Sequence, residues 1–128
     1  MTEHSLRRSF PAGPGAPGVA RRAVREFLTA GGPAPGLLSD VLLAVSEVVT
    51  NCVVHGYRGR AGEVELEARR NGDQLLLRVA DHGTGMAPRL DSPGLGLGLP
   101  LVGRVAERVE VSVPDGGGTL VSMFFSLR

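Results

Sequence analysis

The stretch from Leu37 to His55 reads as one helix with a single apolar side. Stepping about 100° per residue from Glu47 gathers Val41, Leu42, Val45, Val48, Val49, Cys52 and Val53 on a continuous face. That face needs a core beneath it. The opposite side collects Asp40, Ala44, Glu47, Thr50, Asn51 and His55, interrupted by Leu43 and Val54, a mixture suited to a pocket wall. Ser39 is the expected N-cap and Gly56 the expected C-cap.

The flanking segments supply the layer on which this helix can lie. Ser5 to Phe10 alternates weakly and predicts an edge strand, and Pro11 to Gly18 predicts a turn. Val19, Ala20, Ala23, Val24, Phe27 and Leu28 recur at helical spacing until Gly31-Gly32-Pro33 ends the pattern. Glu63 to Ala68 and Gln74 to Ala80 form two antiparallel strands around an Asn71-Gly72-Asp73 turn. A glycine cluster at Gly94 to Gly98 opens a short helix over Leu99 to Arg108. Val109 to Val113 and Thr119 to Leu127 are strands joined across Asp115-Gly116-Gly117-Gly118. Hairpin-joined strands with helices in blocks predict an α/β (α+β) two-layer sandwich: a mixed, mainly antiparallel sheet with helices on one face.

The totals narrow the function. A chain of 128 residues, 42% of them hydrophobic, suits one domain over residues 1–128, with 1–4 as a frayed end. Fourteen Lys+Arg balance 13 Asp+Glu without a run of one sign, which argues against nucleic acid as the partner. The longest apolar stretches break well before the roughly 18 residues of a membrane span, so no membrane is expected. The single Cys52 cannot form an internal disulfide, and no leader opens the chain, so a cytoplasmic protein is expected.

Three groups of residues could carry chemistry. Glu47, Asn51 and His55 stand at i, i+4 and i+8 and form one file along the helix. A carboxylate and an amide oxygen are hard ligands of the kind Mg²⁺ accepts, and the carboxylate could equally serve as a general base. The same spacing also describes a plain solvent face. Asp81, at a strand end and followed by Gly83 and Gly85, offers an acceptor for an exocyclic amine beside backbone that can approach a flat ring. A polar turn would read the same way. Gly94, Gly96 and Gly98 precede a helix whose N-terminus could hold phosphate, or they form only a flexible loop. Arg89, Arg104 and Arg108 are the candidate phosphate partners. The chain has no GxxxxGK[ST], no GxGxxG within a βαβ unit and no GxSxG, and its scattered His4, His55 and His82 lack zinc spacing.

Taken together, SEVVTNCVVHGY at Ser46 to Tyr57, DHGTGM at Asp81 to Met86, GLGLPLV at Gly96 to Val102 and GGGTLVSM at Gly116 to Met123 resemble the GHKL ATPase superfamily, in order and in spacing. The NCVVHGY ending and the opening strand and helix look most like its anti-sigma-factor serine/threonine-protein kinase branch. The resemblance implies a Bergerat-type fold that binds ATP or ADP with Mg²⁺. It gives Asn51 to the metal, Glu47 to catalysis as base, and Asp81 to the adenine amine. Gly83, Gly85 and Met86 would shape the adenine pocket, Gly94, Gly96, Leu97 and Gly98 the phosphate loop, and Thr119 would close the adenine side. The implied activity is transfer of the ATP γ-phosphate to a Ser or Thr of an anti-sigma-factor antagonist, with sequestration of a sigma factor in the other state. Family kinases frequently form homodimers. Kinase members often carry an arginine in or just before the second glycine loop, where this chain has Leu95 and Leu97. A catalytically silent, nucleotide-gated binding module is therefore the alternative to a kinase.

Overall fold

A computed structural model describes residues 4–31, 36–57, 61–82 and 99–127, with backbone alone at His55, Gly56 and Leu99. Among these residues five strands, β1 (His4–Pro11), β2 (Glu63–Asn71), β3 (Gln74–Asp81), β4 (Arg108–Ser112) and β5 (Thr119–Ser126), form one sheet in the order β1-β2-β3-β5-β4. All four ladders are antiparallel. The helices of the described residues are α1 (Ala16–Ala30), α2 (Leu38–Asn51) and α3 (Leu99–Val105), and a π-helical turn, Cys52–Gly56, comes directly after α2.

Helix α1 buries Ala16, Ala20, Val24, Phe27 and Leu28, one stripe at three- and four-residue spacing. It starts within the segment expected to be only a turn, because Pro17 falls in its first turn, where a missing N–H costs nothing. His4, expected to fray, lies in β1 and stacks on Phe27 with ring centroids 4.7 Å apart.

Helix α2 packs against α1, α3 and β3. Its buried arc is accordingly wider than a single face, and Ala44, expected on the polar side, is buried. Leu43 and Val54 do remain exposed. The expected Ser39 cap is absent: Leu37 occupies the N-cap position and no side chain bonds there. At the other end the α-helix stops at Asn51 and passes into the π-turn, which runs to Gly56. Tyr57, not Gly56, takes the C-cap position of that turn, its N–H donating to the Cys52 carbonyl at 3.0 Å. Helix α3 is shorter than expected, since Glu107 N–H already donates to the Phe124 carbonyl of β5 at 2.8 Å.

The sheet has one apolar face toward the helices. Along β3, Leu75, Leu77, Val79 and Asp81 are buried and alternate with half-exposed Leu76, Arg78 and Ala80, the two-residue period of a strand. Their β5 partners are Phe125, Met123, Val121 and Thr119, all buried. On the other face, Glu67 meets Arg69 at 2.9 Å, Arg7 at 3.6 Å and Arg78 at 3.7 Å. A groove of about 630 Å³, lined in part by Arg8, Glu65, Arg78 and Ala80, belongs to that second face.

Candidate functional site

The site begins where the buried β3–β5 column changes from apolar to polar. Asp81 and Thr119 form its last pair, 3% and 4% exposed, with Val64 of β2 on the other side of Asp81. Period-two alternation sends the Asp81 side chain to the helix side with Val79 and Leu77. A carboxylate so deep is costly unless it is bonded. One group beside it is the Cys52 thiol. Burial pushes this thiol far above its ordinary value of 9.0, and the Asp81 carboxylate raises it further by its charge and by accepting the thiol hydrogen; a backbone hydrogen bond acts in the opposite direction. Cys52 is the residue after Asn51, so the end of α2 and the end of β3 converge at this contact.

Asn51 is the last residue of α2 and is 3% exposed, while Glu47, one turn earlier, is half-buried. Both stay on one regular helix and keep the expected four-residue spacing. The file was expected to continue to His55, whose side chain lies outside the described residues; after Asn51 the backbone widens into the π-turn Cys52–Gly56. π-turns of this kind are frequent at functional sites.

Two glycines hold the backbone close. Gly118, at φ +82°, sits so near the Asp81–His82 backbone that an added Cβ would overlap the Asp81 carbonyl oxygen. Gly62 lies against the Tyr57 ring, where a Cβ would overlap the ring itself. The Tyr57 hydroxyl donates to the Glu63 carbonyl at 2.5 Å and accepts from the His82 N–H at 2.8 Å. Cys52, Tyr57, Gly62 and Gly118 were not singled out from the sequence. For three of them the available signal was a place inside the quoted motifs: Cys52 and Tyr57 lie in the first, and Gly118 precedes Thr119 in the last, whereas Gly62 lies outside all four.

The structure thus brings together Asp81, Thr119 and the Asn51 end of α2. Gly83, Gly85, Met86, Gly94, Gly96, Leu97 and Gly98 lie outside the described residues, as does Arg89. Arg108 stands over the Phe124 ring at 4.1 Å and bonds Glu110 at 3.2 Å, which commits it to the sheet face away from Asp81. The exposed His82 ring is 3.1 Å from Glu65.

The donor set fits a nucleotide with its metal. An amide oxygen and a carboxylate, the groups Asn51 and Glu47 carry, are of the hard type that Mg²⁺ accepts, with waters and phosphates as its other ligands. Among the described residues no cluster of three His, Cys, Asp or Glu side chains could hold a metal unaided. Asp81 presents a buried acceptor of the type that reads an exocyclic amine.

The buried thiol has a measurable consequence. The native state keeps the Cys52 proton at pH values where the unfolded chain releases it, so the unfolded state binds fewer protons and stability falls as pH rises through 9.0. The loss from this group is about 1.4 kcal/mol per pH unit once the unfolded thiol is ionised. Urea midpoints at pH 8 and pH 10 are expected to separate more for the wild type than for Cys52→Ala. Equal separations would show that the thiol ionises as freely in the folded protein.

Comparison with known proteins gives the same placement. The histidine kinase-like ATPase domain family matches residues 10–125. The chain is 33% identical over 115 residues to the anti-sigma F factor of Thermoanaerobacter sp. (strain X514), covering 81% of this chain and 80% of that protein. It is 30% identical to the anti-sigma F factor of Clostridium acetobutylicum, covering 96% and 94%. The crystal structure of the RsbU and RsbW domains of a Mycobacterium tuberculosis protein superposes with a TM-score of 0.73 at 22% identity; the match covers 96% of this chain and 32% of that one, and carries the fold alone. No described helix is long and apolar enough to cross a membrane. With a family match over residues 10–125 and anti-sigma-factor relatives at 30% identity or more over at least four fifths of each chain, the chain belongs to the histidine kinase-like ATPases of the GHKL superfamily, in their anti-sigma-factor branch.

Proposed function

We propose that residues 1–128 form one cytoplasmic nucleotide-binding unit that takes ATP or ADP with Mg²⁺, phosphorylates a Ser or Thr of an antagonist protein, and regulates a sigma factor by binding it. The observation that supports this most is the meeting of Asp81, paired with Thr119, and the Asn51–Cys52 end of α2 in one buried place. Asp81 would accept from the base amine with Thr119 beside it, and the Asn51 amide oxygen would hold the Mg²⁺. Glu47 takes the proton of the attacking Ser or Thr hydroxyl as the γ-phosphoryl group moves to that oxygen and ADP departs. Gly83, Gly85 and Met86 border the base, and Gly94, Gly96, Leu97 and Gly98 the phosphates. A homodimer would suit the same family habit. The partners are inferred from the anti-sigma F factor relatives.

Leu95 and Leu97 support a second reading, because a glycine loop without a cation leaves charge at the γ-phosphate unmatched. On that reading the nucleotide gates partner binding and no phosphoryl group moves.

Calorimetric titration with ADP and ATP, with and without Mg²⁺, tests the shared part. The wild type is expected to bind more tightly with Mg²⁺, and Asn51→Ala to lose most of that dependence; equal dependence in both would refute the metal role. Labelled γ-phosphate appearing on an antagonist, and lost in Glu47→Ala, supports the kinase. Partner affinity that differs between ADP and ATP with no phosphoprotein formed supports the silent module.

A further inference from the structure

The β2–β3 ladder lacks its last direct rung. Counted from the two-residue turn at Gly72–Asp73, bonded pairs alternate with non-bonded ones: Asn71 with Gln74, Arg69 with Leu76, Glu67 with Arg78, Glu65 with Ala80. The next bonded pair in that series is Glu63 with His82. The His82 N–H, however, donates to the Tyr57 hydroxyl at 2.8 Å, and the hydroxyl passes its own hydrogen to the Glu63 carbonyl at 2.5 Å. A phenol oxygen therefore stands between the donor and the acceptor of the missing rung. Two bonds through an inserted oxygen hold the strands further apart than one direct bond, at the residue immediately after Asp81.

Tyr57 is tightly held for this role. It is 8% exposed, and its ring fits against Gly62, where no Cβ could be accommodated. Its N–H closes the π-turn on the Cys52 carbonyl at 3.0 Å. The Gly62 carbonyl in turn accepts from the Ala12 N–H at 2.8 Å, which ties the segment to the start of the chain. One side chain consequently connects the end of the helix bearing Glu47 and Asn51 to the end of the strand bearing Asp81.

We propose that Tyr57 is a positioning residue for base recognition: its hydroxyl replaces the final β2–β3 rung and so sets where the Asp81 carboxylate stands relative to Asn51. The inference rests on the nucleotide-binding reading above. Without the hydroxyl, His82 N–H and Glu63 C=O either lose their partner or close into a direct rung. Both outcomes move the strand end away from its present position.

The test is Tyr57→Phe, which keeps the ring and removes one oxygen. At a temperature well below the thermal midpoint, ADP affinity is expected to fall about tenfold, the scale of one buried hydrogen-bonded group. The preference for ADP over GDP is expected to fall with it, while the dependence on Mg²⁺ persists. A residue that only stabilises the fold would lower the midpoint and leave both the ADP affinity and the ADP-to-GDP ratio unchanged, and that result would overturn the proposal. A wild type that binds no ADP would overturn the nucleotide reading itself, so the two failures are distinguishable. If Tyr57→Phe does not fold, hydrogen exchange of the His82 amide in the wild type decides: slower exchange with ADP supports the proposal, and the same rate with and without ADP overturns it.

Discussion

Asp81→Asn is expected to weaken ADP binding at least about a hundredfold while the protein stays folded. The substitution preserves shape and leaves one oxygen that can still accept the Cys52 thiol hydrogen, so the buried column ending in Asp81 and Thr119 keeps its packing. What changes is the second atom of the group. An amide nitrogen donates, and a donor facing the amine of the base is a repulsive pair in a site too buried for water to relieve it. The same change offers a donor to a carbonyl, so the ratio of ADP to GDP affinity should fall more steeply than the affinity for either nucleotide's phosphates would suggest. Titration of both nucleotides, with far-ultraviolet circular dichroism as the fold control, checks this. ADP binding within a few-fold of the wild type would remove Asp81 from base recognition.

Gly118→Ala is expected to cost about 2–4 kcal/mol of stability and to lower the thermal midpoint by roughly 10 °C. Two causes add. The residue sits at φ +82°, where an L side chain is strained, and its Cβ would overlap the Asp81 carbonyl oxygen, which is backbone and cannot rotate aside. Gly117→Ala is the internal control: its φ is +93°, yet no atom of the described residues lies within 4 Å of the added Cβ, so only the conformational part, about 1 kcal/mol, should appear. The difference between the two variants measures how closely the start of β5 must approach the end of β3. Because that approach also places Asp81, Gly118→Ala should lose ADP affinity and Gly117→Ala should not. Similar midpoints for the two variants would show that the strand ends separate at little cost.

The elements of this fold were readable from local pattern. The apolar stripe of α1, the broad apolar face of α2, the alternation of β2 and β3 around Asn71-Gly72-Asp73 and the final hairpin each reflect which side of a helix or strand must leave water. Asp81 and Asn51 were recognisable as candidates because a polar residue at a strand end, or in a mixed helix stripe, stands out against its neighbours. Helix ends were less legible: Ser39 makes no cap, and the turn after Asn51 widens, because packing of α2 between α1 and α3 outweighs a local capping preference.

The contacts that make the site belonged to tertiary structure alone. Periodicity sends Asp81 to the helix side of its strand, but it cannot say that β5 rather than β4 lies beside β3 and sets Thr119 opposite. The apolar spacing that assigns Cys52 to the core is the same whether its thiol meets a leucine or a carboxylate. Nor does any local signal show the Tyr57 hydroxyl taking the place of a backbone rung 25 residues away at His82. Local sterics and burial choose the element and its inward face; which inward faces meet is decided by the energy of the whole packed chain, and the chemistry resides in those meetings.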